Sequence, residues 1–111
     1  MVNTLYNRTI KNGGGTFTPV TYTDVTYGYA VGLVDGTYRQ VNSNDKVAFN
    51  DAIASLEFEY PYAAIGTWLD GDTIHIDPTE VLLDEDIARS IAYNRGQLAY
   101  YVLHEQREVR I

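Results

Sequence analysis

The sequence predicts an α+β fold: one mixed or antiparallel sheet of roughly five to six strands with two helices on one face, built from two similar hairpin–helix–strand units. Three observations predict it. Stretches rich in Tyr, Val and Thr alternate apolar and polar residues at the two-residue period of strands. Two other stretches place apolar residues at helical spacing behind good capping residues. And GLVDGTYRQV is echoed in form by TWLDGDTIHI, with Asp35-Gly36 lying 35 residues before Asp70-Gly71. Two such units are too few for a solenoid, which needs roughly three or more, so they are expected to share one sheet.

Taken in order, residues 1–20, which include Gly13-Gly14-Gly15, read as a flexible arm or irregular edge, and residues 21–111 as a single α+β domain. Thr21 to Asn42 reads as strands, with Asp35-Gly36 a two-residue hairpin turn whose glycine accepts positive φ. A helix follows from Asp45 to Leu56, capped by Ser43 or Asn44. Phe49, Ala52, Ile53 and Leu56 form its buried stripe, and Pro61 lies past its end. Tyr62 to Leu69 and Thr73 to Asp77 are strands joined by the turn Asp70-Gly71-Asp72, and Pro78 marks an edge or the end of the second. Asp84 caps a second helix, Glu85 to Arg95, with acids in its first turn, Ile87, Ala88, Ile91 and Ala92 as its buried stripe, and Gly96 past its C-terminus. Gln97 to Leu103 and Glu108 to Ile111 close the sheet.

The chain has 111 residues, enough to bury a core without staples, and no cysteine, so disulfides and thiolate chemistry are excluded. The N-terminal MVNTLYNRTIKNGGG lacks the apolar core of a signal peptide, and no run is long enough to span a membrane. A cytoplasmic protein is expected. The net charge of −7 is unevenly spread. Between Lys46 and Arg89 there is no Lys or Arg, and ten acids from Asp51 to Asp86 fill the gap. Such a window is repelled by phosphate, which disfavours direct nucleic-acid binding, and it attracts a basic protein surface. A solvated face that keeps the protein soluble is the plainer account of the same residues.

His75 and Asp77 form the one pattern that invites a catalytic or metal reading. On a strand they share a face with Thr73, while Ile74 and Ile76 share the other, so the pair belongs to the wet side of a hairpin. A metal centre needs three or four ligands, and neither the pair nor distant His104 supplies a recognised spacing. Ser43, Ser55 and Ser90 lack the flanking glycines of a nucleophile elbow, and no Gly-Lys-Ser/Thr follows the triple glycine. No catalytic residue, metal ligand or cofactor site is assigned. The ten tyrosines suit half-buried sheet faces and protein interfaces alike, and Tyr100 and Tyr101 must point to opposite faces. A partner-binding patch is expected from Asp51, Glu57, Glu59, Tyr60, Asp70, Asp72, Asp77 and Glu80.

The segment from Ala64 to Ile111, with GTWLDGDTIHIDPTEVL, an acid-capped helix, NRGQLAYY and REVRI, resembles small proteins encoded by phages and mobile elements, and TLYNRTIKNGG is similar too. The resemblance covers about half the chain, implies a location in mobile DNA and carries over no catalytic residue. Small acidic phage proteins include anti-CRISPR and antirestriction inhibitors, some of which mimic the charge of DNA. By that analogy the leading expectation is a non-enzymatic, acidic protein-binding module in the host cytoplasm. It would inhibit a nucleic-acid-binding defence enzyme, such as a nuclease or CRISPR effector, through that enzyme's basic surface. A structural or regulatory phage protein that self-associates, for instance as a homodimer, is the alternative. A small hydrolase or ligand-binding protein using His75 and Asp77 is the third.

Overall fold

A computed structural model describes residues 2–33 and 38–111 of the chain. Three helices, α1 (Val2–Asn12), α2 (Lys46–Glu59) and α3 (Glu85–Asn94), accompany seven strands. These are β1 (Gly14–Phe17), β2 (Tyr29–Gly32), β3 (Arg39–Asn42), β4 (Ala64–Asp70), β5 (Thr73–Leu82), β6 (Ala99–Val102) and β7 (Arg107–Arg110). All strand pairs are antiparallel, in the order β1-β4-β5-β2-β6-β7, with β3 also on β5. The α+β class holds, with one helix and one strand more than the sequence predicts. No described helix is long and apolar enough to cross a membrane.

The extra helix lies in the segment read as a flexible arm or irregular edge. α1 has no acid in its first turn, and although Leu5, Tyr6 and Thr9 stand at helical spacing, the triple glycine that follows points to an arm or irregular edge. Tertiary packing makes it. Leu5 is fully buried in a cluster with Phe17, Phe49, Ile53 and Ile65, and buried Thr9 hydrogen-bonds the hydroxyl of Thr67 on β4 at 2.9 Å. The Tyr6 hydroxyl donates to the carbonyl of Ser43 at 2.5 Å, tying α1 to the start of α2. The triple glycine is then a tight exit from α1 into the edge strand β1. Gly14 has φ +140°, and a Cβ there would lie 2.3 Å from the carbonyl oxygen of Thr67. Only glycine lets these backbones approach so closely.

β5 organises the rest. Its first half pairs with β3 (Ile76 with Arg39, Thr73 with Asn42) and its second half with β2 on the same edge (Leu82 with Tyr29, Thr79 with Gly32). β2 and β3 therefore run in line along one partner, and neither pairs with the other, contrary to the predicted hairpin. The Asp35-Gly36 turn itself lies outside the described residues. Pro78 does not end the strand, because its carbonyl accepts from the Leu33 N–H, on the side where β2 gives way to β3. Within a strand, N–H and C=O of one residue point the same way, so the missing N–H falls in that gap in the ladder.

The helix ends follow from side chains. The N-cap of α2 is Asp45, whose carboxylate accepts from the Ala48 N–H at 2.9 Å, rather than Ser43 or Asn44. Asp84 caps α3 through the Ile87 N–H at 3.0 Å, and Gly96 follows with φ +73°. Phe49, Ile53 and Leu56 are fully buried, as are Ala88 and Ala92. Ile87, expected in that stripe, is 53% exposed. Ile74 and Ile76 face α2, while Glu80 and Leu82 meet α3, by an ion pair to Arg95 and by packing with Ala88 and Ala92. Those four β5 residues alternate onto one side. All three helices thus cover the same face of the sheet, and the opposite face of β1, β4, β5 and β3 carries none.

Candidate functional site

The helix-free face is set by alternation. Along β4 the residues Ile65, Thr67 and Leu69 turn inward, which leaves Gly66, Trp68 and Asp70 outward. On β5, Thr73, His75 and Asp77 turn outward, as their spacing predicts. Register pairs Trp68 with His75, Gly66 with Asp77, and Gln40 of β3 with His75. The indole of Trp68 stacks on the His75 ring at 5.1 Å between centroids and 27° between planes. His75 Nδ1 lies 3.3 Å from Gln40 Nε2, and its Nε2 lies 3.9 Å from the Asp70 carboxylate. A row Gln40–His75–Trp68 therefore crosses three strands. Beyond Trp68 its neighbour on β1 is Gly14, which offers no side chain to cover it, and Trp68 stays 58% exposed.

Asp77 sits beside this stack, half-buried, with Gly66 opposite it. Among the described residues no side chain donates a hydrogen bond to its carboxylate. Burial raises its carboxyl above the ordinary value of 3.8, and nearby His75 offsets this only in part. The folded protein thus holds this proton more tightly than the unfolded chain does. Asp77 favours folding most below the ordinary carboxylate value, and that contribution is lost as pH rises through the folded value. Asp77→Asn removes the ionisation, so the variant is expected to be more stable than the parent at neutral pH, with the difference fading towards about pH 3. Denaturant midpoints at both pH values check this, and an equal offset at both would refute the desolvated carboxylate.

The eight residues expected as a partner-binding patch are dispersed. Asp70 and Asp72 flank the β4–β5 turn, exposed, beside the start of α2, because the Ser43 N–H donates to the Asp72 carbonyl at 2.7 Å. Glu57 and Glu59 lie at the far end of α2, about 20 Å away along a 14-residue helix. Asp51 lies between, exposed. Several acids already have partners. Glu57 accepts from the Tyr22 hydroxyl at 2.6 Å, Glu59 pairs with Arg39 at 2.6 Å, and Glu80 with Arg95 at 2.5 Å. Burial and the Glu57 carboxylate push the Tyr22 hydroxyl well above its usual range. Tyr60 and Glu80 line a separate recess of about 640 Å³ with apolar walls that include Pro19, Pro61, Tyr62 and Val81.

Only Asp70 and Asp77 of the eight share the helix-free face with the aromatic stack, with Asp72 at its end. The outward side chains of β1, β3, β4 and β5 include no Lys or Arg among the described residues; Arg39 turns inward to Ser55 and Glu59. Trp68 and Gln40 were not singled out by sequence. The signal for Trp68 was present in IGTWLD, where alternation sets the tryptophan with Gly66 and Asp70 against Ile65 and Leu69. Among the described residues no group of three or more His, Asp or Glu is arranged to hold a metal ion. Comparison with protein-family models, with curated proteins and with solved structures finds no match to this chain.

Proposed function

We propose that this protein is a non-enzymatic binding module that docks onto a basic protein surface through the helix-free face of its sheet. One observation carries the reading: an exposed tryptophan stacked on a histidine lies on an uncovered sheet face among carboxylates, with no Lys or Arg among the outward strand residues described. Exposed aromatic anchors ringed by polar groups are where interface energy concentrates. The carboxylates steer a basic partner and exclude acidic ones. The partner class this favours is a nucleic-acid-binding enzyme whose basic groove normally holds phosphate, in line with an inhibitor carried on mobile DNA. Assembly through the sheet edges is less well supported. The outermost strand β7 carries Arg107, Glu108 and Arg110, and the outer side of β1 meets Asp24 and Val25. Charged and covered edges resist strand addition.

Affinity capture from a host lysate, with bound nucleic acid digested first, tests the reading. Trp68→Ala and the triple variant Asp70→Asn, Asp72→Asn, Asp77→Asn are each expected to lose a captured basic protein by about tenfold or more, the scale of one interfacial hot spot. Glu57→Gln with Glu59→Gln should capture as the parent does. Duplex DNA should compete, and capture should fall with salt as screening contracts to roughly 8–10 Å near physiological ionic strength. Capture that is indifferent to both face variants would sink the proposal.

A further inference from the structure

Resting on that reading of the helix-free face, we propose that its anchor is an arginine side chain of the partner, lying on the open side of the Trp68 indole with its guanidinium meeting the Asp77 carboxylate across the Gly66 notch. Four features of the site lead there. One side of the indole is taken by His75, at 5.1 Å, and the other turns towards Gly14 of β1, which has no side chain to cover it. Gly66 precedes Trp68 by two residues on the same face, a step of about 6.5–7 Å along a strand. Its register partner is Asp77, whose Cβ lies 4.0 Å from where a Gly66 Cβ would stand, and the Thr79 hydroxyl, 3.0 Å from that point, bounds the notch on its far side, so a slender group passing the indole over Gly66 reaches the carboxylate. Finally, Asp77 is half-buried with no described side chain donating to it, and burial makes its charge costly. A cation brought by a partner would repay that cost.

Arginine fits better than the alternatives. Its planar guanidinium stacks on an indole and presents paired N–H donors to a carboxylate, which a lysine ammonium cannot do together. A neutral sugar would also stack on Trp68 and hydrogen-bond to Gln40 or Asp70, yet it would leave the Asp77 charge uncompensated. The carboxylates at either end of the platform, Asp70 and Asp77, with no Lys or Arg among the described outward residues of the face, favour the cation.

The chain has a single tryptophan, so emission excited at the red edge of the indole band, where the ten tyrosines do not absorb, reports on this platform alone. Titrations with a blocked hexa-arginine peptide are expected to change that emission saturably. Hexa-lysine should bind about fivefold more weakly or worse, and hexa-citrulline should give no saturable change. Asp77→Asn should weaken the arginine peptide by about tenfold or more, the scale of losing a charge-assisted pair, while the variant remains folded by circular dichroism. Glu57→Gln should leave it unchanged. Equal response to arginine and lysine peptides, unaffected by Asp77→Asn, would overturn the arginine anchor. So would saturation by a neutral glucan oligosaccharide, which would mark a sugar platform. If lysate capture still depends on Trp68 while no peptide moves the emission, the docking face stands and the anchor falls. Loss of face-dependent capture instead removes the functional reading itself.

Discussion

Phe49→Ala is expected to cost about 3–5 kcal/mol of folding stability, among the largest single-site losses at the described residues. Phe49 is fully buried on the inner face of α2 and meets the Tyr6 ring edge-on at 5.4 Å and 68°. It packs in one cluster with Leu5 of α1, Ile53 and Leu56 of its own helix, and Ile74 and Ile76 of β5. Truncation removes the transfer energy of the ring and leaves a cavity between two helices and the sheet, which cannot close without moving all three. Domains of this size are stable by about 5–15 kcal/mol in total, so the variant should be marginal near body temperature. Urea unfolding followed by far-ultraviolet circular dichroism measures the loss. A cost below about 1 kcal/mol, as at a surface position, would mean that the core does not centre on α2.

Leu5→Ala is the second, at about 2–5 kcal/mol. Its weight lies in what it separates. A flexible arm would tolerate the change within about 0.5 kcal/mol, because no contact would be lost. A packed α1 would not, since Leu5 is fully buried against Phe17, Phe49 and Ile65. Ile10, on the same helix but 38% exposed, is the control: Ile10→Ala should cost much less. The same denaturant assay on both variants decides the matter. Equal small losses would return the N-terminal segment to an arm that contributes nothing to the core.

The elements legible in the sequence are those whose causes are local. Asp84 and Gly96 bracket α3, the stripe Phe49, Ile53 and Leu56 marks α2, and the alternation of Ile74 and Ile76 with His75 and Asp77 marks β5. α1 carried a local signal in the helical spacing of Leu5, Tyr6 and Thr9, but the contacts that fix it, to Phe49 and Thr67, lie dozens of residues away. The signal at Asp35-Gly36 pointed to a hairpin, yet a single ten-residue strand, β5, serves β2 and β3 in succession. The acidic window was a fact about the linear chain. Folding returns Arg39 to Glu59 and Arg95 to Glu80, so the surface is less acidic there than the order of residues suggests. The arrangement on which the proposed docking face rests, Trp68 on His75 beside Asp77, needed the register between β4 and β5 to become visible.

The way β5 shares its edges also bears on the order in which the chain can acquire its structure. β1, β2 and β3 all precede residue 43, and apart from the Phe17–Asp24 bridge every ladder they form is with β4, β5 or β6. Among the described residues, the β4–β5 hairpin, closed by a tight turn, is the one full ladder in that half of the sheet between strands adjacent in sequence. Pairings such as Gly14 with Trp68 and Tyr29 with Leu82 span 54 and 53 residues, and the closure entropy of such loops must be met before their contacts stabilise anything. During synthesis the tyrosine- and valine-rich stretch that becomes β2 therefore leaves the ribosome well before any strand exists to receive it. It waits as an unpaired, strand-prone segment of the kind that nascent-chain chaperones shield.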